Sequence, residues 1–148
     1  MKTILVLIST LFSIYSLTAQ NLKESDVPSP VKTKFHSLYP AVKSVEWEKE
    51  KKNFEATFKE NSMETSVLID ASGKLKETEV QIPVTDLPQA CNDYLAKNIP
   101  GKKTKDAYKI TKAKGRITYE AETEEGDYIF DSNGNFLNKE GDISHDED

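Results

Sequence analysis

The sequence predicts an α+β fold of two tandem units, each a helix followed by a four-stranded antiparallel meander, with the helices packed on one face of the sheets. Three observations support this prediction. Motifs recur in the same order about 60 residues apart, as in Asp26-Val27-Pro28 and Asp86-Leu87-Pro88. Each of these motifs opens a segment with apolar residues at helical spacing, and short segments of alternating polarity follow. We expect residues 20–82 to form the first unit and residues 83–141 the second.

The first 19 residues are typical of a cleavable export signal. Lys2 supplies the positive start, residues 4–17 are apolar apart from Ser and Thr, and Ala19 is a small residue suited to signal peptidase. An uncleaved anchor is the alternative, but a membrane-spanning helix needs about 20 apolar residues. The sequence therefore predicts cleavage after Ala19, no stable membrane anchor, and a mature protein that is periplasmic or secreted.

Each unit begins with a predicted helix. Asp26 and Asp86 are the expected N-caps, and Pro40 and Pro100 are expected to end the two helices because proline cannot continue the hydrogen-bond ladder. The apolar stripes are Val31, Phe35, Leu38 and Tyr39 in the first helix and Leu87, Cys91, Tyr94 and Leu95 in the second. Since Cys91 is the only cysteine, no internal disulfide can form, and its place on the stripe predicts a buried, inert thiol.

The residues after each helix have the pattern of short antiparallel strands separated by polar turns. Residues 70–73 and 131–134 are predicted hairpin turns, because each begins with an Asp that can accept backbone hydrogen bonds and ends with a Gly that can adopt positive φ. The predicted strands cover residues 45–48, 54–58, 67–69 and 75–82 in the first unit and 107–110, 117–121, 128–130 and 136–137 in the second.

Strand alternation predicts acidic side chains on the face of each sheet that carries no helix. If the aromatic side chains of residues 54–58 pack against the first helix, Glu55 must point away from it, and Glu120 has the same orientation in the second unit. Solvated outward positions are the alternative, since an antiparallel sheet commonly has one wet face. We interpret the two faces as a candidate platform for a partner. The candidate partner contacts are Glu46, Trp47, Glu48, Glu55, Glu120 and Glu122.

Charge and residue inventory exclude two classes of function. The formal net charge of −5 argues against binding to a phosphate backbone, which calls for a basic surface. The histidines, His36 and His145, are the only side chains with an ordinary pKa near neutrality, and neither is well placed for catalysis. His36 is expected at the solvent edge of the first helix, and His145 lies in the acidic tail. We therefore expect neither nucleic-acid binding nor enzymatic activity, and we expect no cofactor.

A metal site is the weaker alternative reading of the second turn. Asp131, Asn133 and Asn135 follow the start of a calcium-binding loop, but the twelfth position is Asp142, where such loops have Glu. We therefore interpret the segment as a hairpin and assign no metal there. The acidic residues 142–148 are expected to form a disordered tail. A metal-binding or small-ligand-binding periplasmic protein remains the alternative function.

The order of these motifs resembles the β-lactamase-inhibitor-like, PepSY-like domain family of exported bacterial proteins. The matching stretches are Asp26 to Pro40, Val45 to Phe58 and Asp70 to Leu75, with a weaker match from Asp86 to Phe136. The resemblance implies a fold like that of β-lactamase inhibitor protein, with a concave sheet surface and inhibitor-like binding. Ala107 stands where the first unit has Trp47, which indicates unequal roles for the two units.

Composition, motifs and resemblance together predict an exported, non-catalytic binding module of the bacterial cell envelope. The expected partner is another envelope or secreted protein, bound at the helix-free sheet surface as an inhibitor-like or regulatory domain would bind it. The residues do not identify that partner and do not set the oligomeric state.

Overall fold

The computed structural model describes residues 20–140, in which nine antiparallel strands form one sheet and two helices lie on one face. Each strand pairs with the strand that follows it along the chain. They are β1 (Gln20–Leu22), β2 (Glu46–Glu50), β3 (Asn53–Glu60), β4 (Met63–Asp70), β5 (Leu75–Ile82), β6 (Thr104–Lys112), β7 (Ile117–Thr123), β8 (Gly126–Asp131) and β9 (Phe136–Lys139). The helices are α1 (Ser29–Leu38) and α2 (Gln89–Asn98). The predicted export signal and the acidic tail 142–148 lie outside the described residues.

One continuous sheet replaces the two separate meanders that the sequence predicts. β5 joins the two units, because it pairs with β4 along one edge and with β6 along the other. Its last residue, Ile82, lies opposite Ala107, just as Leu22 of β1 lies opposite Trp47. β5 is thus the last strand of the first unit and takes the place of β1 in the second. The arrangement covers the strand edges that two separate sheets would leave unpaired.

Both helices begin immediately after a proline. The N-cap positions are Pro28 and Pro88, and no side chain caps either helix. Asp26 and Asp86 instead end a 3₁₀ turn just before each helix, so their predicted role as caps is wrong. The fixed φ of proline already suits the entry to a helix, and this makes a side-chain cap less necessary. Neither helix within residues 20–140 is long and apolar enough to cross a membrane.

Each helix covers its own hydrophobic core. In the first core, the buried ring of Phe35 lies 5.2 Å from that of Trp47 and 5.5 Å from that of Phe58, both edge to face. The second core has Ala107 in the place of the tryptophan and contains fewer aromatic residues under its helix. Tyr94 compensates in part, because its ring stacks on Phe136 at 4.5 Å. The first unit therefore has the larger aromatic core, and aromatic contacts of this kind contribute about 1 kcal/mol each beyond burial.

Cys91 is fully buried on α2, as its position on the apolar stripe predicts. Burial raises the pKa of its thiol to about 11, so very little thiolate is present at pH 8. We expect Ellman's reagent to modify the native protein about 100-fold more slowly than the protein unfolded in urea at the same pH. Cys91→Ser supplies the blank, and a native rate within threefold of the unfolded rate would contradict the prediction.

Candidate functional site

Strand pairing brings acidic side chains together on the helix-free face. Glu48 lies opposite Glu55, and Glu122 lies opposite Asp127. Paired residues of antiparallel strands point to the same side of the sheet, and like charges placed directly opposite one another are destabilising. The structure therefore keeps an unfavourable charge arrangement on this face, which is a common feature of functional sites.

The helix-free face encloses a pocket of about 330 Å³. Its lining residues are Glu50, Glu55, Ser66, Leu68, Glu77, Glu79, Glu120, Glu122, Asp127 and Glu140. Eight of these ten residues are carboxylates and none is basic, and we call the eight the acidic pocket. Glu50 lies on β2 and Glu140 follows β9, so the two ends of the sheet face a common space. The helix-free face is therefore concave, as the family resemblance implies.

Two glutamates at the centre of the acidic pocket are buried among other acidic groups. Glu120 on β7 is only 8% exposed, and Glu79 on β5 is partly buried. Burial, reinforced by the charges of Glu77 and Glu55, raises the pKa of Glu79 to about 7. Burial, reinforced by Glu79 and Glu140, raises the pKa of Glu120 to about 8. Both carboxyls therefore titrate near neutral pH, far above the ordinary range of glutamate.

Burial and acidic neighbours also raise the pKa values of Glu55 and Glu122, which line the same pocket. Burial, followed by the charges of Glu50 and Glu48, raises the pKa of Glu55. Burial, followed by the charge of Asp127, raises the pKa of Glu122. The repulsion therefore extends across both units of the sheet.

A lysine stands at the margin of the acidic pocket. Lys112 on β6 lies directly opposite Glu77 on β5, and its ammonium group forms an ion pair with the Glu77 carboxylate. Glu79 and Glu120 form no ion pair among the described residues, although Lys112 and Arg116 line an adjoining cavity with them. The centre of the pocket is thus the part with uncompensated negative charge.

The sequence model of a family described as "Putative beta-lactamase-inhibitor-like, PepSY-like" matches the chain twice, at residues 15–77 and 67–138. The chain belongs to this PepSY-like family. The two matches overlap at residues 67–77, where the first unit passes into β5, the strand that both units share. No curated protein matches the chain.

Solved structures share the PepSY-like fold. A protein of Bacteroides eggerthii described as "putative periplasmic" is 14% identical, with a TM-score of 0.70, and the match covers 77% of this chain and 88% of that one. A BLIP-like protein of Bacteroides fragilis is 21% identical, with a TM-score of 0.62, and the match covers 80% of this chain and 92% of that one. At these identities the likeness shows the fold alone.

The structure separates the predicted contact residues of this PepSY-like protein into three groups. Glu55, Glu120 and Glu122 line the acidic pocket. Glu46 and Glu48 point to the same face but lie outside the lining. Trp47 is 3% exposed and packs under α1, so it is removed from the candidate contacts as a correction. The reason is strand alternation itself, because Trp47 lies between two outward-facing glutamates and must point inward.

Sequence reasoning missed the central residues of β5. Glu77 and Glu79 alternate along Lys76-Glu77-Thr78-Glu79 just as Glu46 and Glu48 alternate along β2. The alternation could have placed them on the helix-free face. The join between the two units, which brings them beside Glu120, is a long-range pairing that no local pattern shows. Asp127 and Glu140 were missed because they stand at the ends of short strands.

The weak metal candidate at Asp131 is a hairpin turn, as the sequence predicts. One carboxylate oxygen of Asp131 accepts hydrogen bonds from the backbone N–H groups of Asn133 and Asn135, at 2.8 and 2.9 Å. The other oxygen accepts a hydrogen bond from the side-chain amide of Asn135 at 2.8 Å. Both oxygens are thus engaged by the turn itself. Asp70 makes the matching backbone bonds in the first unit.

Proposed function

We propose that this PepSY-like protein is an exported, non-catalytic binding module of the cell envelope that holds a basic segment of another protein in the acidic pocket. Such binding would be inhibitor-like or regulatory, because the partner's Lys or Arg side chains would be covered by the concave face. The proposal depends on one observation: eight carboxylates from both units converge on one pocket with no basic residue in its lining.

The energetics of the pocket favour a cationic ligand. The raised pKa values of Glu79 and Glu120 reflect the cost of holding negative charge there, which comes first from burial and then from acidic neighbours. A bound Lys or Arg side chain would offset this cost, because an opposite charge a few ångströms away favours the ionised carboxylate. Charge complementarity of this type also steers the encounter of two proteins and excludes partners of the wrong sign.

A non-catalytic role is supported by the groups available near the pocket. Ser66 is the hydroxyl residue in the lining, and its hydroxyl contacts the Thr57 hydroxyl at 3.0 Å and the Glu55 carboxylate. His36, the histidine within residues 20–140, is on α1, with its Nε2 3.7 Å from a Glu24 oxygen. Nucleophilic catalysis requires a nucleophile in contact with a base. Among the described lining residues, Ser66 has neither a histidine nor a lysine to activate it, and its carboxylate neighbour Glu55 is the residue assigned to ligand contact.

The cell compartment is part of the proposal. The export signal predicted at residues 1–19 supports the periplasm or the cell exterior. The structural relative described as "putative periplasmic" agrees with this assignment. Fractionation of cells that express the full chain, with N-terminal sequencing of the mature protein, tests both the compartment and cleavage after Ala19.

Binding of a labelled lysine-rich peptide tests the acidic pocket directly. We expect fluorescence anisotropy to show saturable binding that weakens as salt concentration rises, because exposed charge pairs are screened within about 10 Å at 0.1 M. The variant Glu55→Gln, Glu79→Gln, Glu122→Gln should bind about tenfold more weakly. A glutamate-rich peptide of the same length should not bind.

A matched variant separates the pocket from net charge. Glu24→Gln, Asp86→Asn, Asp93→Asn removes the same number of charges from exposed positions in or just before the helices. Equal weakening by both triple variants would show a diffuse charge effect and would refute the pocket. The two variants then serve as baits in envelope extract, where a partner of the pocket must be lost from the first and kept by the second.

A further inference from the structure

Three carboxylates of the second unit converge at one side of the acidic pocket. Oxygen atoms of Glu120, Asp127 and Glu140 all lie within 4.8 Å of one another. The strands fix this arrangement, because Asp127 on β8 is opposite Glu122 on β7 and its carbonyl accepts a hydrogen bond of 2.8 Å from the N–H of Glu140. The three groups are thus held together by backbone pairing between three neighbouring elements.

The burial of Glu120 is a second, independent indication of a ligand. Glu120 as a whole residue is 8% exposed, and its carboxylate points into this cluster. Within the described residues, burial and acidic neighbours account for its environment, with no hydrogen-bond donor among them. A buried carboxylate without a donor is costly, so native proteins pair such groups or use them to coordinate metals.

From these two observations we infer that Glu120, Asp127 and Glu140 form a binding site for one divalent cation of the size of calcium. Hard cations take oxygen ligands, and calcium lies 2.3–2.6 Å from each, so two oxygens on one ion can be up to about 5.2 Å apart. The three oxygens, which lie within 4.8 Å of one another, meet this limit. Magnesium, at 2.0–2.1 Å, allows at most about 4.2 Å between two ligand oxygens and demands near-ideal octahedral geometry, so it tolerates a narrower range of arrangements than calcium. Glu140 is exposed and Asp127 partly exposed, which leaves an entry path from solvent and room for water ligands.

The inference does not depend on the proposed function, because it concerns the chain alone with a simple salt. Calorimetric titration of the metal-free protein with CaCl₂, in 0.1 M KCl at pH 7.5, should show saturable binding of one ion with Kd on the order of 10⁻⁴ M. MgCl₂ should bind about tenfold more weakly. Addition of CaCl₂ should also raise the thermal midpoint of unfolding, since a ligand of the native state stabilises it.

Two variants of equal charge distinguish a coordination site from general attraction to the acidic pocket. Glu120→Gln, which keeps the side-chain shape, should weaken calcium binding about tenfold or more. Glu50→Gln removes one charge from the same pocket, but Glu50 lies on β2 and does not belong to the three-carboxylate cluster, so it should weaken calcium binding less than about threefold. Circular dichroism confirms that both variants are folded.

Three results would overturn the inference. They are the absence of saturable calcium binding up to 10 mM, equal losses in Glu120→Gln and Glu50→Gln, and equal affinity for magnesium and calcium. Loss of peptide binding with calcium binding retained would count against the proposed function alone, so the two failures are distinguishable.

Discussion

Replacing Glu79 and Glu120 together with glutamine will stabilise the protein at pH 8 by on the order of 3 kcal/mol. At that pH Glu79 is largely ionised and Glu120 about half ionised, although burial and acidic neighbours disfavour their charge. Glutamine keeps the shape of each side chain and removes the charge. The gain is smaller than the sum of the two single variants, because Glu79 and Glu120 repel each other.

The sign of the pH dependence follows from the two pKa values. In the unfolded chain both carboxyls titrate near pH 4.3, whereas in the native state they titrate near 7 and 8. Between these limits the native state binds more protons, so the free energy of unfolding falls as pH rises. The stabilisation is full below about pH 4 and is lost as the pH rises through about 7 and 8, the two native pKa values. Asp70 and Asp131 have lowered pKa values and act in the opposite direction, below about pH 4.

Urea denaturation at pH 5, 6.5 and 8, with EDTA present, measures this effect without interference from bound metal. The wild-type protein should become less stable over this series, and the double variant should be much less sensitive to pH. Asp86→Asn, Asp93→Asn is the matched control, because it removes two charges from exposed positions. A double variant that is no more stable than wild type at pH 8 would contradict the buried, repelling pair.

The order of elements could be predicted because local chemistry determines it. Pro40 and Pro100 mark the helix ends, and the Asp and Gly of residues 70–73 and 131–134 mark the turns; the structure confirms each of them. Alternation likewise placed Glu55 and Glu120 on the helix-free face. These signals act over a few residues, so one sequence is enough to detect them.

The pairing of β5 with β6, which joins the two units, could not be predicted because it depends on residues far apart in the sequence. The eight residues of β5 indicate a strand, but nothing in them specifies that both edges are paired. That pairing depends on contacts between segments more than 20 residues apart, such as Ile82 with Ala107. For the same reason the centre of the acidic pocket could not be predicted. Glu79 on β5 comes close to Glu120 on β7 only when β5 pairs with β6. Trp47 differs from these residues, because its local position alone, between Glu46 and Glu48 on β2, is enough to point it into the first core.

Replacing Gly73 or Gly134 with alanine will destabilise the protein by on the order of 3 kcal/mol in each case. Both glycines have positive φ, +87° and +85°, which costs an alanine about 1–2 kcal/mol. A Cβ at Gly73 would lie 2.8 Å from the backbone oxygen of Pro30, at the start of α1. A Cβ at Gly134 would lie 2.8 Å from the Cβ of Ala90 and 3.1 Å from the backbone nitrogen of Cys91 on α2. Neither neighbour can rotate away.

Gly115→Ala is the matched control for this prediction. Gly115 also has positive φ, +82°, but nothing lies within 4 Å of a Cβ placed there, so only the backbone strain of about 1 kcal/mol is expected. Urea denaturation measures the free energy of unfolding of the three variants. Equal decreases in all three would show that close contact between turn and helix contributes nothing at Gly73 and Gly134. Through these contacts each turn fixes a helix against the sheet and sets the start of β5 or β9.

Gly134→Ala should also weaken calcium binding, because β9 leads directly to Glu140. Gly115→Ala should leave calcium binding unchanged.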